Sequence, residues 1–281
     1  MAQGPVAFQG EHGAFSEEAA AALFPRRVKT LQCATFRDVF AAVAGRKASC
    51  GVVPIENSLF GSIHENYDLL RTYDLRITGE LNMRIVHALL APRGVGLSAI
   101  RTIYSHPQAI GQCGRFLSRL KGREIVAVYD TAGAAKMVAR SGRRDCAAIA
   151  GAGAARLYGL SVVRNGIESD PRNFTRFLVL GRSHVLPRGK AKTSLIFALH
   201  NVPGALVRAL SAFTLRDVNL FKIESRPLVG RPWEYLFYLD IAGSVRDAQC
   251  ARAIAHLREL STYLKILGSY PLGKTIMKRS R

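Results

Sequence analysis

Acidic residues are scarce in this chain: 20 Asp and Glu stand against 40 Lys and Arg in 281 residues, a formal net charge of +20. Such an excess, taken alone, points to a polyanionic partner. Between Arg182 and Lys192, and again from Lys274 to Arg281, there are basic residues and no acids, but the rest are scattered among apolar positions. No stripe of interleaved aromatic and basic side chains offers an RNA-binding surface, so no nucleic acid is expected as partner. The charge reads as a solvated surface whose field speeds capture of an anionic substrate. Long apolar runs are missing as well, so no membrane span is expected. Met1-Ala2-Gln3-Gly4-Pro5 lacks the basic and then apolar order of a secretory signal, and the expected location is the cytoplasm. Cys33, Cys50, Cys113, Cys146 and Cys250 are odd in number and widely spaced, without a paired spacing suited to zinc or redox work. They are expected to be small buried residues. No internal repeat is present.

What remains is a hydrophobic content of 48%, enough for one sizeable core and a smaller domain. From Val6 to about Leu180, short apolar runs alternate with helical patterns, which predicts an α/β domain with largely parallel sheets. Thr35 before Phe36, Val39, Phe40 and Val43 is a cap followed by an apolar helical face. Gly51-Val52-Val53-Pro54-Ile55 reads as a buried strand that ends in Glu56-Asn57-Ser58, with a helix from Ile63 to Tyr73. Polar groups at such a strand end lie at the mouth of the sheet, where α/β proteins bind ligands. Ser105-x-x-Gln108 reads as a capping box with Pro107 in the first turn, and Asp130-Thr131 precedes a helix from Ala132 to Ala139. Ser183 to Lys190 breaks the pattern with Pro, Gly and charge. After it the order is β-α-β-β-α-β, a ferredoxin-like arrangement. The expected domains are 1–182, a linker over 183–192, 193–270, and a mobile basic tail over 271–281.

Asn173-Phe174-Thr175-Arg176-Phe177, followed by Leu178-Val179-Leu180, sets a hydroxyl and a guanidinium against aromatic rings. Arg176 can grip a carboxylate at two points, Thr175 can donate to a departing oxygen, and Phe174 or Phe177 can wall a pocket. An interlobe salt bridge is the competing role for Arg176. Gly10-Glu11-His12-Gly13-Ala14-Phe15-Ser16-Glu17, Pro54-Ile55-Glu56-Asn57-Ser58, Ser105-His106-Pro107-Gln108, Asp130-Thr131-Ala132-Gly133-Ala134-Ala135 and the Thr175 segment occur in that order. Together they resemble the prephenate dehydratase family. Asn201-Val202-Pro203-Gly204-Ala205-Leu206 and Glu224-Ser225-Arg226-Pro227 resemble the two phenylalanine-binding motifs of that family's regulatory ACT domain. Ala14 and Gly151 depart from the family's usual residues, and Gly151, where the family often has Ser before its Ala-rich helix, is expected to alter a helix cap.

The resemblance implies a two-lobed catalytic domain similar to periplasmic binding proteins, with the site in its cleft, followed by an ACT domain. It implies conversion of prephenate to phenylpyruvate, in which the ring loses CO2 and its C4 hydroxyl and becomes aromatic, with no metal and no redox cofactor. Thr175 is then the catalytic residue, acting as an oriented donor because a Thr hydroxyl is a poor acid. Glu56 either recharges a proton relay or caps the next helix. Asn57, Ser58, Ser105, Gln108, Thr131, Ala132, Arg176 and Phe177 are the expected substrate contacts, with a capping box as the alternative for Ser105 and Gln108. His87, inside an apolar strand, reads as a satisfied structural histidine. L-Phenylalanine is expected to bind Asn201, Pro203, Gly204, Ala205, Leu206, Glu224, Ser225, Arg226 and Pro227 at an interface between two ACT domains, hence a homodimer or homotetramer. A strand-end ion pair is the alternative for Glu224 to Arg226. Arogenate dehydratase, which takes an amino group in place of the keto oxygen, is the nearest rival activity, and a non-catalytic amino-acid sensor the remote one.

Overall fold

Strands and helices alternate from the N-terminus, each where the sequence provides an apolar run or a capped apolar face. The computed structural model describes residues 4–24, 28–184, 187–228 and 233–277. Val185 and Leu186 of the expected linker and 278–281 of the expected tail lie outside them. The chain opens with β1 (Val6–Gln9), α1 (Phe15–Leu23), β2 (Thr30–Cys33), α2 (Phe36–Ala44), β3 (Cys50–Asn57), β4 (Gly61–Ser62), α3 (His64–Thr72) and β5 (Arg76–Arg84). Thr35 and Asp38 form the capping box of α2, and Val39, Phe40 and Val43 on its inner face are fully buried. Gly51 lets β3 approach that face: a Cβ there would come 2.8 Å from Val39 Cγ1.

A second set follows: β6 (His87–Ala91), β7 (Thr102–Ser105), α4 (Pro107–Gln112), α5 (Gly114–Leu117), β8 (Glu124–Ala127), α6 (Thr131–Arg140), β9 (Cys146–Gly151), α7 (Ala152–Tyr158) and β10 (Ser161–Asn165). The chain then returns through β11 (Phe174–Gly181). The first sheet has the order β5-β11-β3-β1-β2, with β1 parallel to β2 and β3, and β4 beside β3. The second has the order β10-β6-β9-β7-β8. Here β7 runs parallel to β8 and β9, while β6 and β10 are antiparallel. The expected parallel character thus holds for β1, β2 and β3 and for β7, β8 and β9. Every residue of β9 is buried because apolar clusters cover both of its faces. Where the chain crosses between the sheets, Ile85 N donates to Asn173 O (2.8 Å) and Ile167 N to His87 O (3.1 Å). Glu168 locks the crossing, pairing with Arg84 at 3.2 Å and accepting from His87 N at 3.0 Å.

The last elements are β12 (Ala191–Leu199), α8 (Ala205–Thr214), β13 (Leu220–Pro227), β14 (Tyr235–Ala242), α9 (Ala248–Leu260), β15 (Ser261–Pro271) and β16 (Lys274–Ile276). Antiparallel strands in the order β13-β14-β12-β15, with α8 and α9 packed on Leu195, Phe197, Leu239 and Ile241, give the expected ferredoxin-like βαββαβ unit.

The chain divides into two compact units at places other than the expected domain boundary. One holds 1–63, 81–177 and 275–281, the other 64–80 and 178–274. Helix α3 therefore counts with the ferredoxin-like unit. There Tyr67 and Tyr238 meet edge to face at 4.6 Å, and the Tyr238 hydroxyl donates to Tyr67 O. Lys265 Nζ donates to Leu70 O, Arg71 O and Tyr73 O, neutralising carbonyls at the end of α3. The tail also departs from expectation: β16 is the edge strand next to β5, because backbone donors and acceptors of β5 offer it a ladder.

Candidate active site

The groups that can act on a ligand gather at the end of β3. Asn57, 4% exposed, accepts from Leu59 N (3.0 Å) and Phe60 N (3.1 Å) through Oδ1. Those two donors fix the amide, so Nδ2 faces β11, where Asn173 Oδ1 (2.8 Å), Phe174 O (3.1 Å) and Thr175 Oγ1 (3.0 Å) compete for its two protons. A hydroxyl that accepts from an amide keeps its own proton for something else. Thr175 thus has a proton to direct into the adjoining cavity.

That cavity has a volume of about 370 Å³, within the range of small-molecule sites. Phe15, Phe36, Ile63, Ile85 and Phe177 give it apolar walls, and Gln9, Asn57, His87, His106, Gln108, Gln112, Tyr129, Asp130, Thr131 and Thr175 the polar groups. Phe15 reaches its place because Gly151, the departure noted above, has no side chain: a Cβ there would stand 3.1 Å from the ring. Helices α1 and α6 both begin at the wall, through Phe15 and Ser16 and through Asp130 and Thr131. Ala14, the N-cap of α1, has no capping side chain, which leaves first-turn N–H groups for a carboxylate.

Carboxylates at the rim are differently tuned. Burial would raise the Glu11 carboxyl, but hydrogen bonds from Lys136, Gln32 and Tyr129 hold it below its ordinary value. Lys136 Nζ stands 2.8 Å from Glu11 Oε2, and the Tyr129 hydroxyl donates to Oε1 at 3.1 Å. Asp130 is pushed up, by burial first and by the charge of Glu11, against the backbone donors Gly133, Glu11 and Ala132.

Of the expected substrate contacts, Asn57, Gln108, Thr131, Thr175 and Phe177 line the cavity. Glu56, Ser58, Ser105, Ala132 and Arg176 do not. The reasons are local. Side chains alternate along a strand, so β11 turns Thr175 and Phe177 to the cavity and Arg176 away. Ser58 Oγ is engaged by Arg172 O (2.7 Å) and Phe174 N (2.9 Å). The expected capping box at Ser105 is corrected: its hydroxyl donates to Ile149 O on the neighbouring strand (2.7 Å), and the N-cap of α4 is His106, whose Nδ1 accepts from Gln108 N. Asp130 caps α6, accepting from Gly133 N. Ala132 packs on Phe8 and Ala14. Sequence reasoning assigns His87 to structure alone, yet it lines the cavity together with Gln112, Tyr129 and Asp130. A polar residue between apolar strand neighbours is the signal for His87; Gln112 and Tyr129 carry none.

In the second unit a smaller cavity of about 220 Å³ is lined by Asn201, Val202, Gly204, Ala205, Leu206, Trp233, Tyr235 and Phe237 among others. Gly204, at φ 76°, takes the left-handed conformation that opens α8. Pro203 is not in the lining. Within the chain Glu224 and Arg226 turn to α3, meeting His64 (3.4 Å) and Asp68 (2.9 Å).

A two-lobed α/β unit with a walled cleft is thus followed in the chain by a ferredoxin-like unit. The family model described as "Prephenate dehydratase" matches residues 6–185. The chain is 44% identical over 283 residues to "Arogenate dehydratase/prephenate dehydratase 2, chloroplastic" of Arabidopsis thaliana, covering 97% of this chain and 74% of that one. Among solved structures it is similar to prephenate dehydratase of Arthrobacter aurescens in complex with L-Phe, with a TM-score of 0.88, 32% identity and coverage of 95% and 90%. It is also similar to GqqA, titled a novel type of quorum quenching acylases, with a TM-score of 0.86, 36% identity and coverage of 95% and 97%. The chain belongs to the prephenate dehydratase family, and it is a lyase of the prephenate and arogenate dehydratase kind. The expectation of a cytoplasmic protein is overturned by the same comparison: the Arabidopsis relative is chloroplastic.

Proposed function

We propose that the cavity performs the decarboxylating dehydration of prephenate to phenylpyruvate, for L-phenylalanine synthesis. The observation that carries the role of Thr175 is the donation from Asn57 Nδ2 to its Oγ1. As the bond from C1 to the ring carboxylate breaks, its electrons enter the ring, the bond from C4 to the hydroxyl breaks, and CO2 departs. The leaving oxygen takes up charge and a proton to become water. The Thr175 O–H, kept free by Asn57, hydrogen-bonds that oxygen, most strongly as charge develops. The uncapped first-turn N–H groups of α1 meet a substrate carboxylate, and the aromatic walls strip water from the carboxylate that fragments.

A second reading, arogenate to L-phenylalanine, is favoured by the name of the Arabidopsis relative. Both substrates place the same leaving group at C4. For regulation, the proposed ligand is L-phenylalanine in the cavity around Asn201, Gly204, Ala205 and Leu206, in a homodimer or homotetramer whose partner chain presents Glu224-Ser225-Arg226-Pro227. The L-Phe complex of the Arthrobacter relative supports that ligand. Assays of phenylpyruvate formed from prephenate and of phenylalanine formed from arogenate test the catalytic reading. Calorimetry with L-phenylalanine at millimolar concentration tests the regulatory one.

A further inference from the structure

Buried polar atoms nearly always have a partner. Among the described residues that line the active cavity, His87 Nδ1 is the buried side-chain atom that has none. The residue is 2% exposed. Its other nitrogen, Nε2, lies 2.5 Å from Gln112 Oε1. A carboxamide oxygen only accepts, so Nε2 carries the hydrogen and Nδ1 presents a lone pair. The ring is held in place: Glu168 Oε2 accepts from its backbone N, Ile167 N donates to its carbonyl, and Phe15 meets it edge to face at 5.4 Å. Burial depresses its basicity, with Gln112 and Glu168 opposing. The remaining titratable groups of the wall are His106, Tyr129 and Asp130. Asp130 is already engaged by the backbone of Gly133, Glu11 and Ala132.

Position along the chain says which part of a substrate Nδ1 meets. The bond from Ile85 N to Asn173 O joins the two crossing segments. Thr175 lies two residues beyond it in one direction and His87 two residues beyond it in the other. They thus stand on opposite sides of that bond, both in the wall of the cavity. In a prephenate-type ring the leaving hydroxyl at C4 and the three-carbon side chain at C1 are para to each other. With Thr175 at C4, the C1 substituents extend toward His87.

On the proposed reading of Thr175, we propose that His87 reads the C1 side chain and selects its amino form over its keto form. Nδ1 accepts an N–H from the α-ammonium group of arogenate, whereas the keto oxygen of prephenate meets it lone pair to lone pair. Gln112 is the positioning residue that keeps the hydrogen on Nε2. A site built to accept a hydrogen bond discriminates against an analogue that cannot donate one.

The test is kcat/KM for both substrates with the full chain and three variants. The parent, which turns over prephenate on the proposed reading, is expected to turn over arogenate with the higher kcat/KM. In His87→Phe the ratio of arogenate to prephenate should fall about tenfold or more, the range of one hydrogen bond to a charged group. Gln112→Leu, which leaves His87 in place but frees its tautomer, should move the ratio the same way by a smaller factor. His87→Gln restores an acceptor and should recover part of the preference. A purely structural role would lower both substrates in proportion, and that outcome, or an unmoved ratio in Gln112→Leu should His87→Phe fail to fold, overturns the proposal alone. A parent that turns over neither substrate overturns the catalytic reading and this inference with it.

Discussion

Asn57 Nδ2 lies 3.0 Å from Thr175 Oγ1, across 118 residues of chain. The amide thereby chooses which way a hydroxyl proton points, and the first two predictions follow from that choice.

Thr175→Ala should fold normally, because one small side chain is lost at a cavity wall. Its kcat should fall about a hundredfold, the usual contribution of a donor used in the transition state, with KM changed far less. Thr175→Ser, which keeps the O–H, should retain most of the rate. Steady-state kinetics beside a thermal melt would reject the role if Thr175→Ala turned over within about threefold of the parent.

Asn57→Asp should be worse than its size suggests. A carboxylate cannot donate to Thr175 Oγ1, so the hydroxyl turns its proton toward the new carboxylate and away from the ligand. We expect kcat to fall about tenfold or more and stability to fall by about 1–3 kcal/mol as Asn173 Oδ1 and Phe174 O lose their donor. A kinetic defect confined to KM would contradict this account.

Stability should depend on pH through His87. Its folded pKa is depressed below the ordinary 6.5, by burial first. The unfolded chain therefore binds the proton more readily, and the stabilisation, complete above that ordinary value, is lost as pH falls through the folded pKa. Between pH 7.5 and 5 the unfolding midpoint of the parent should drop more steeply than that of His87→Gln. Parallel slopes in calorimetric scans would refute the assignment.

In the second unit, Lys192 Nζ lies 2.8 Å from Glu80 Oε1, with both side chains almost fully buried, and Gly273 N donates to the same oxygen. Lys192→Met takes this ammonium from a buried carboxylate and should cost about 3–5 kcal/mol. Adding Glu80→Leu should recover much of that loss, since apolar replacement of a whole buried pair is often neutral. Urea denaturation of both single variants and the double variant measures the coupling.

Much of the cavity can be read from local pattern. The apolar run of β3 ending in Asn57, the Thr35–Asp38 cap and the ferredoxin-like order all rest on short-range rules that tertiary contacts do not override. Thr175 and Phe177 come from a motif, which names residue types without naming strand faces. Alternation along β11 separates Arg176 from them. Ser105 defeats a local reading because its hydroxyl finds Ile149 O on another strand, and no spacing along the chain records that neighbour. Gln112 and Tyr129 reach the cavity only through the packing of the second lobe.

The ferredoxin-like unit takes α3 and the first half of β5 from the middle of the catalytic sequence, and Lys265, Tyr238 and Arg226 hold α3 through Leu70, Tyr67 and Asp68. Cutting after Gly181, at the start of the expected linker, would thus strip α3 of its packing while leaving it joined to Ile63 in the cavity wall. We expect such a truncation to lose activity through poor folding, contrary to what the linker suggests, and circular dichroism with an activity assay would show it. A unit interleaved in this way is not removed by a single cut in the chain.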